Sequence, residues 1–195
     1  PRRTAQPIPM SAVQDGAMRD SYAIDLSDDD LREVARFAAR CASEVLPFFE
    51  RDAPDDARPR EAIDAAWAFA EGGARTNALR TSAWGAYRAT QSVDSPVDAE
   101  AAHAASAAAG AAFLHPLAHA DQVKHILGSA ARAARAVELE ADDVRGVGEA
   151  FLDEELPDVP DAVVDVLRRY PPAPGGGGRV GELLRHLDAV LRARA

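Results

Sequence analysis

Beyond residue 24 the apolar residues recur at intervals of three and four, the period of a helix with one buried face. Leu31, Val34, Ala38, Cys41 and Val45 form the first such stripe. Ser27, with Asp30 three residues later, makes a capping-box start for it, and Asp28, Asp29 and Asp30 suit the positive end of a helix dipole. Pro47 is expected to end or kink this helix, because proline lacks an amide proton and its ring meets the preceding turn. The segment Ala53–Pro59 reads as a loop, with Pro59 placed as the first residue of a second helix. That helix carries Ile63, Ala66, Trp67 and Ala70 on one face and stops at Gly72-Gly73.

A third helix is expected from about Arg75 to Ser92, with Leu79, Ala83, Ala86 and Tyr87 turned inward. Ser95-Pro96 is an N-cap followed by a first-turn proline. It opens an alanine-rich fourth helix that is expected to reach His115, be kinked by Pro116, and continue as a fifth helix to about Glu140. Residues 151–170, with Pro157 and Pro160, read as less regular. The Pro/Gly-rich stretch 171–178 reads as a flexible linker before a last helix from Arg179. No segment alternates apolar and polar residues with period two, so no sheet is expected. The fold class is therefore all-α: a single-domain bundle or orthogonal array of six to eight helices over residues 25–195, preceded by an arm over residues 1–24.

Composition narrows the function classes. The 195 residues carry 32 acidic and 22 basic side chains, a formal net charge of −10. Nucleic-acid binding needs basic surface, so the bulk charge argues against it. The nearest approach to a basic patch is Arg179, Arg185, Arg192 and Arg194, which read as cations near the negative end of the last helix. The single cysteine, Cys41, rules out an intramolecular disulfide and a thiolate cluster, and its place in the first stripe makes it a small buried hydrophobe. No apolar run is long enough for a membrane span, and the first 20 residues lack the apolar centre of a signal peptide, so a cytoplasmic location is expected. The chain starts at Pro1 rather than Met, so the numbering is expected to begin inside a longer chain. Heavy use of alanine and arginine beside one lysine, Lys124, has the look of a GC-rich, actinobacterial-type genome.

One segment concentrates reactive side chains: three of the five histidines and the only lysine fall between His115 and His125. On an ideal helix His115 and His119 lie about 40° apart, Gln122 shares their face, and His125 sits about 80° away. Histidine is the side chain best suited to proton transfer near neutral pH, so His115, His119 and His125 are candidate acid–base residues. Lys124 and Gln122 are candidate binding residues beside them. The alternative is that these rings only satisfy nearby carbonyls. A zinc site would need a third ligand, and no His-Glu-x-x-His pattern is present, so neither metal nor cofactor is expected. Asp56, Arg58, Arg60 and Glu61 form a second cluster at a loop-to-helix junction. Its arginines could hold a carboxylate or phosphate, or could pair with neighbouring acids and fix the loop. The four-glycine run is no phosphate loop, because no Gly-Lys-Ser/Thr follows it.

Three segments together resemble the actinobacterial putative immunity proteins. They are Asp25-Leu-Ser-Asp-Asp-Asp-Leu-Arg-x-Val-Ala-Arg-Phe-Ala-Ala-Arg-Cys41, Asp56-Ala-Arg-Pro-Arg-Glu-Ala-Ile63, and His115-Pro-Leu-Ala-His-Ala-x-Gln-Val-Lys-His-Ile-Leu-Gly128. Arg168-Arg-Tyr-Pro-Pro-Ala-Pro174 and the last helix also look like that family, extending the resemblance over about residues 25–195. The resemblance implies an all-helical domain associated with polymorphic toxin systems, and a protein partner, a toxin, that it neutralises. On that reading an acidic surface, at Asp28–Asp30 or Asp55–Glu61, would suit a basic, nuclease-like toxin. A second function class stays open: a small cofactor-free enzyme of secondary metabolism. It would use the histidines in an elimination, cyclisation or isomerisation of a small-molecule substrate, with Lys124 or Arg60 holding an anionic group.

Overall fold

A computed structural model describes residues 23–194. Residues 1–22 of the expected N-terminal arm lie outside the described residues. Eight α-helices follow in order: α1 (Asp28–Asp52), α2 (Arg58–Ala70), α3 (Asn77–Ala89), α4 (Pro96–Ala111), α5 (Val123–Glu140), α6 (Arg145–Glu155), α7 (Asp161–Arg168) and α8 (Gly178–Ala193). Short 3-10 turns at Ala120–Gln122 and Leu156–Asp158 join α4 to α5 and α6 to α7. The all-α class holds among the described residues. The one extended contact there is an isolated antiparallel bridge between Ala23 and Leu117.

The caps fall where the residue types put them. The Ser27 hydroxyl accepts from the Asp30 amide at 3.0 Å while the Asp30 carboxylate accepts from the Ser27 amide at 2.9 Å. The Ser95 hydroxyl accepts from the Asp98 amide at 3.3 Å, with Pro96 in the first turn of α4. Pro47 does not end α1: the helix runs five residues past it to Asp52. Val45, Leu46 and Phe49 on either side of Pro47 are buried, and their burial outweighs the lost backbone bond.

The core is one continuous cluster with α4 at its centre. Alanines 101, 102, 104, 105, 108, 109 and 111 are all buried, so α4 is apolar around most of its circumference and packs against α1, α2, α3 and α5. Their methyl-sized side chains let those helices approach closely. The buried Ser129 hydroxyl of α5 lies 2.7 Å from the Ala38 carbonyl and 3.1 Å from that of Ala104, tying α5 to α1 and α4. Cys41 is fully buried, and burial raises its thiol pKa.

Three expectations about the second half need correction. First, α4 stops at Ala111, four residues short of His115, and α5 does not begin until Val123, so the chain has no kinked helix at His115-Pro116. The residue before a proline is pushed towards extended backbone, and the amide of Leu117 turns back to the His115 carbonyl at 2.8 Å. Second, residues 151–170 are mostly regular: they hold the end of α6 and all of α7, which buries Val163, Val164, Val166 and Leu167. Third, Arg179 sits in the first turn of α8 and not near its negative end.

Residues 171–177 precede α8 without helical structure. Gly176, Gly177 and Gly178 all adopt positive φ, which side chains with a Cβ rarely do. The Arg185 guanidinium donates to the carbonyls of Pro174 at 3.1 Å and Gly176 at 2.7 Å, and the buried Asp188 carboxylate accepts from the Ala173 amide at 2.9 Å. No helix among the described residues is long and apolar enough to cross a membrane.

A candidate binding groove

The histidines end up in three different settings. The segment from His115 to His119 is loop, so the helical wheel that set His115, His119 and Gln122 on one face does not apply. His115 is exposed and takes part through its backbone: its amide donates to Gln122 Oε1 at 2.8 Å, and its carbonyl accepts from the Tyr170 hydroxyl at 2.9 Å. The ring of His119 is 67% exposed, and its Nδ1 accepts from the Asp121 amide at 3.2 Å, capping the 3-10 turn. His125, in the first turn of α5, is half-buried. Burial holds its pKa below the ordinary imidazole value, with Lys124 adding to the shift and a hydrogen bond with the Gly110 backbone opposing it. Among the described residues no group of three or more His, Cys, Asp and Glu side chains could hold a metal.

The second predicted cluster is tied up in ion pairs. Arg58 donates to Asp56 through Nε at 2.7 Å and to the Ser92 hydroxyl at 3.0 Å, while Arg60 holds Glu50 of α1 with two bonds of 2.6 Å. Glu61 stands exposed in the first turn of α2.

His125 and Lys124 belong instead to a groove that the histidine clustering does not reveal. A hollow of about 790 Å³ lies between α3, α4 and α5 on one side and the glycine segment with α8 on the other. A second hollow of about 510 Å³ adjoins it, sharing Trp84, Tyr87, Ser106, Ala107 and His125. The floor is made of small residues: Ala107 of α4 and Gly128 of α5 leave room that larger side chains would fill. One bank is aromatic. Trp84 and Tyr87 of α3 meet edge to face with ring centroids 5.6 Å apart, and Tyr87 lies 5.7 Å from the ring of His103. The expectation that Tyr87 turns inward is thus corrected: α3 buries Leu79, Gly85, Ala86 and Ala89, and leaves Tyr87 40% and Trp84 57% exposed.

The electrostatics of the groove are mildly cationic. Arg132 is paired with Glu100 at 2.8 Å, and Lys124 stands 4.0 Å from Asp121. Burial, with the nearby Arg132 charge, lowers the pKa of His103, and burial likewise lowers that of His125, so the surroundings favour the neutral form of both rings. Arg80 lies with its guanidinium 4.5 Å from the centroid of the Phe113 ring.

A family model covers the region that builds this floor and its aromatic bank, matching residues 25–156. The chain belongs to the Imm-5 like putative immunity protein family. The match takes in α1 to α6 and with them all three long segments whose residues resembled such proteins. It stops before α7 and before the glycine segment and α8, the last two of which form the opposite bank. No curated protein and no solved structure gives a significant match. An immunity family points to a protein partner in general terms, and a partner needs a surface.

The surface that sequence reasoning missed is the exposed side of α3. Its signal was nonetheless present: no Asp or Glu occurs from Gly72 to Val93, where the chain's overall acidity would place three or four.

Proposed function

We propose that this protein protects its cell by binding and neutralising a protein toxin, and that the groove banked by Trp84 and Tyr87 is where the toxin is held. One observation carries the reading: two large aromatic side chains stand on one turn of one helix, both exposed, beside a hollow floored by alanine and glycine. Tryptophan and tyrosine are the residues most enriched among the few that dominate binding energy in protein interfaces. A toxin side chain seated on the floor would cover both rings and remove their apolar surface from water.

Catalysis by the histidine segment is the weaker reading. An acid–base enzyme built on His115, His119 and His125 needs the rings to share a substrate, and only His125 faces the groove.

The test is co-expression with candidate toxin domains cloned from the genomic neighbourhood of this gene. The wild-type chain restores growth, whereas Trp84→Asp, folded by circular dichroism, does not and fails to co-purify with the toxin. Undiminished protection by Trp84→Asp would remove the groove from the interface.

A further inference from the structure

The rim of the groove has a chemistry opposite to that of the molecule as a whole. Along α3, Arg80, Trp84, Tyr87 and Arg88 follow one another at i, i+4, i+7 and i+8, and so share one exposed face; the first three line the hollows and Arg88 stands one turn past Trp84, beyond them. Neither arginine has a carboxylate within salt-bridge range among the described residues, although most other arginines of the chain do: Arg32, Arg51, Arg58, Arg60, Arg132 and Arg169 are each paired. Nor do the Arg80 and Arg88 guanidinium groups, the Trp84 indole N–H or the Tyr87 hydroxyl make a hydrogen bond to any described residue. The face therefore offers donors almost exclusively, since guanidinium and indole have no acceptor at all. Stacking on Phe113 holds the Arg80 head in place without consuming its N–H groups.

Resting on the reading of the groove as a toxin-binding site, we infer that the part of the toxin seated there is an acidic segment, with Asp or Glu carboxylates against Arg80 and Arg88 and an apolar residue packed on the exposed surface of the Trp84–Tyr87 pair. Uncommitted donors beside an apolar shelf are complementary to carboxylates flanking a hydrophobic side chain. Arginine is the residue best shaped to receive a carboxylate, through two parallel bonds. The bulk charge of −10 does not oppose this at contact range, because salt screens charges beyond about 8 Å at physiological ionic strength. The same bulk charge disfavours a nucleic acid, whose phosphates extend well past two arginines.

The probe is a phage-displayed library of random dodecapeptides panned against the full chain. Selected peptides are expected to carry two or more Asp or Glu around an apolar residue. Their affinity should fall about tenfold or more in Arg80→Glu/Arg88→Glu, and fall with added salt in the wild type. A basic or neutral consensus, no enrichment over an unrelated bait, or affinities unmoved by the double reversal overturns the inference. So does retention of a 20-base-pair DNA duplex that depends on the same two arginines, which would assign the face to nucleic acid. Arg80→Gln/Arg88→Gln serves if the reversal impairs folding. Toxin protection separates the two levels. If Trp84→Asp loses protection and Arg80→Glu/Arg88→Glu keeps it, the acidic-segment inference fails and the groove reading stands; if both keep it, both fail.

Discussion

Arg179→Met should be among the most damaging single substitutions outside the alanine core. Glu138, in the last turn of α5, has no solvent exposure, and Arg179 is 12% exposed. The Arg179 guanidinium approaches both oxygens of Glu138, reaching them from Nε at 3.0 Å, and also donates to Glu149 at 2.5 Å, Glu182 at 3.1 Å and the Arg145 carbonyl at 2.9 Å. One side chain thus ties α5, α6 and α8 together. Methionine fills similar volume but leaves the Glu138 charge buried. Removing one partner of a buried pair costs about 3–5 kcal/mol. The low end applies here, because Arg135 still reaches Glu138 Oε2 at 3.0 Å. A loss of about 3 kcal/mol corresponds to a fall in Tm of roughly 6–12 °C for a chain of this size. Urea unfolding followed by far-UV circular dichroism measures it. The double variant Glu138→Met/Arg179→Met should recover more than half of the loss, since the stranded charge is gone. A single variant within about 1 kcal/mol of wild type would show that the pair contributes only as an exposed one does.

Gly148→Ala should act on the same cluster, because a Cβ there would lie 2.5–2.6 Å from the Glu138 side chain that Arg179 pins; we expect about 2 kcal/mol of destabilisation in urea. Pro47→Ala should stabilise by about 1–2 kcal/mol, restoring a backbone bond in mid-helix against a modest gain in unfolded-chain entropy, and an unchanged urea midpoint would contradict that account of α1. Burial raises the pKa of Asp98, so its ionised form is a cost to the native state that is complete above the folded pKa and vanishes below the unfolded value of about 3.9. Asp98→Asn should therefore stabilise at pH 7 with an advantage that shrinks towards pH 4, and a gap constant across that range would refute the assignment. The His125 ring, whose pKa burial lowers, should titrate below about 6.5 by NMR, and its contribution to stability should be lost as pH falls through that value towards the folded pKa.

The readable parts of the sequence were those fixed by local chemistry. Ser27 and Ser95 start helices because a hydroxyl three residues ahead of a free amide satisfies it whatever the tertiary setting. Gly72 ends one because its φ of +105° excludes most other residues. The misreadings came from effects that act at a distance. Pro47 was outvoted by Val45, Leu46 and Phe49, whose burial depends on helices that periodicity alone does not position. Around His115 the error ran the other way. The alanine pattern continues to Ala112, but the loop beyond it is held by Gln122 and by Tyr170, which lies 55 residues further on. The salt-bridged cluster at Glu138 was equally invisible, since its members are spread from residue 135 to 182.

If the groove is the binding surface, as we propose, reactive residue types are a poor guide to it. Histidines draw attention because they can move protons, yet His115 serves its loop through the backbone and His119 by capping a 3-10 turn, and a protein that works by occupying a partner, as we propose for this one, needs no proton transfer. What such a protein needs is a rigid platform with a few uncovered anchors. The platform comes from α4, whose buried alanines let it pack closely against α1, α3 and α5. On the proposed reading the anchors are the residues that α3 cannot bury, Trp84 and Tyr87, and the charges that no described carboxylate pairs with, Arg80 and Arg88. A stretch free of acids within an acidic chain is the trace this leaves in sequence. It follows from the same requirement: a carboxylate on that face would pair with the arginines and silence the donors that a partner is to meet.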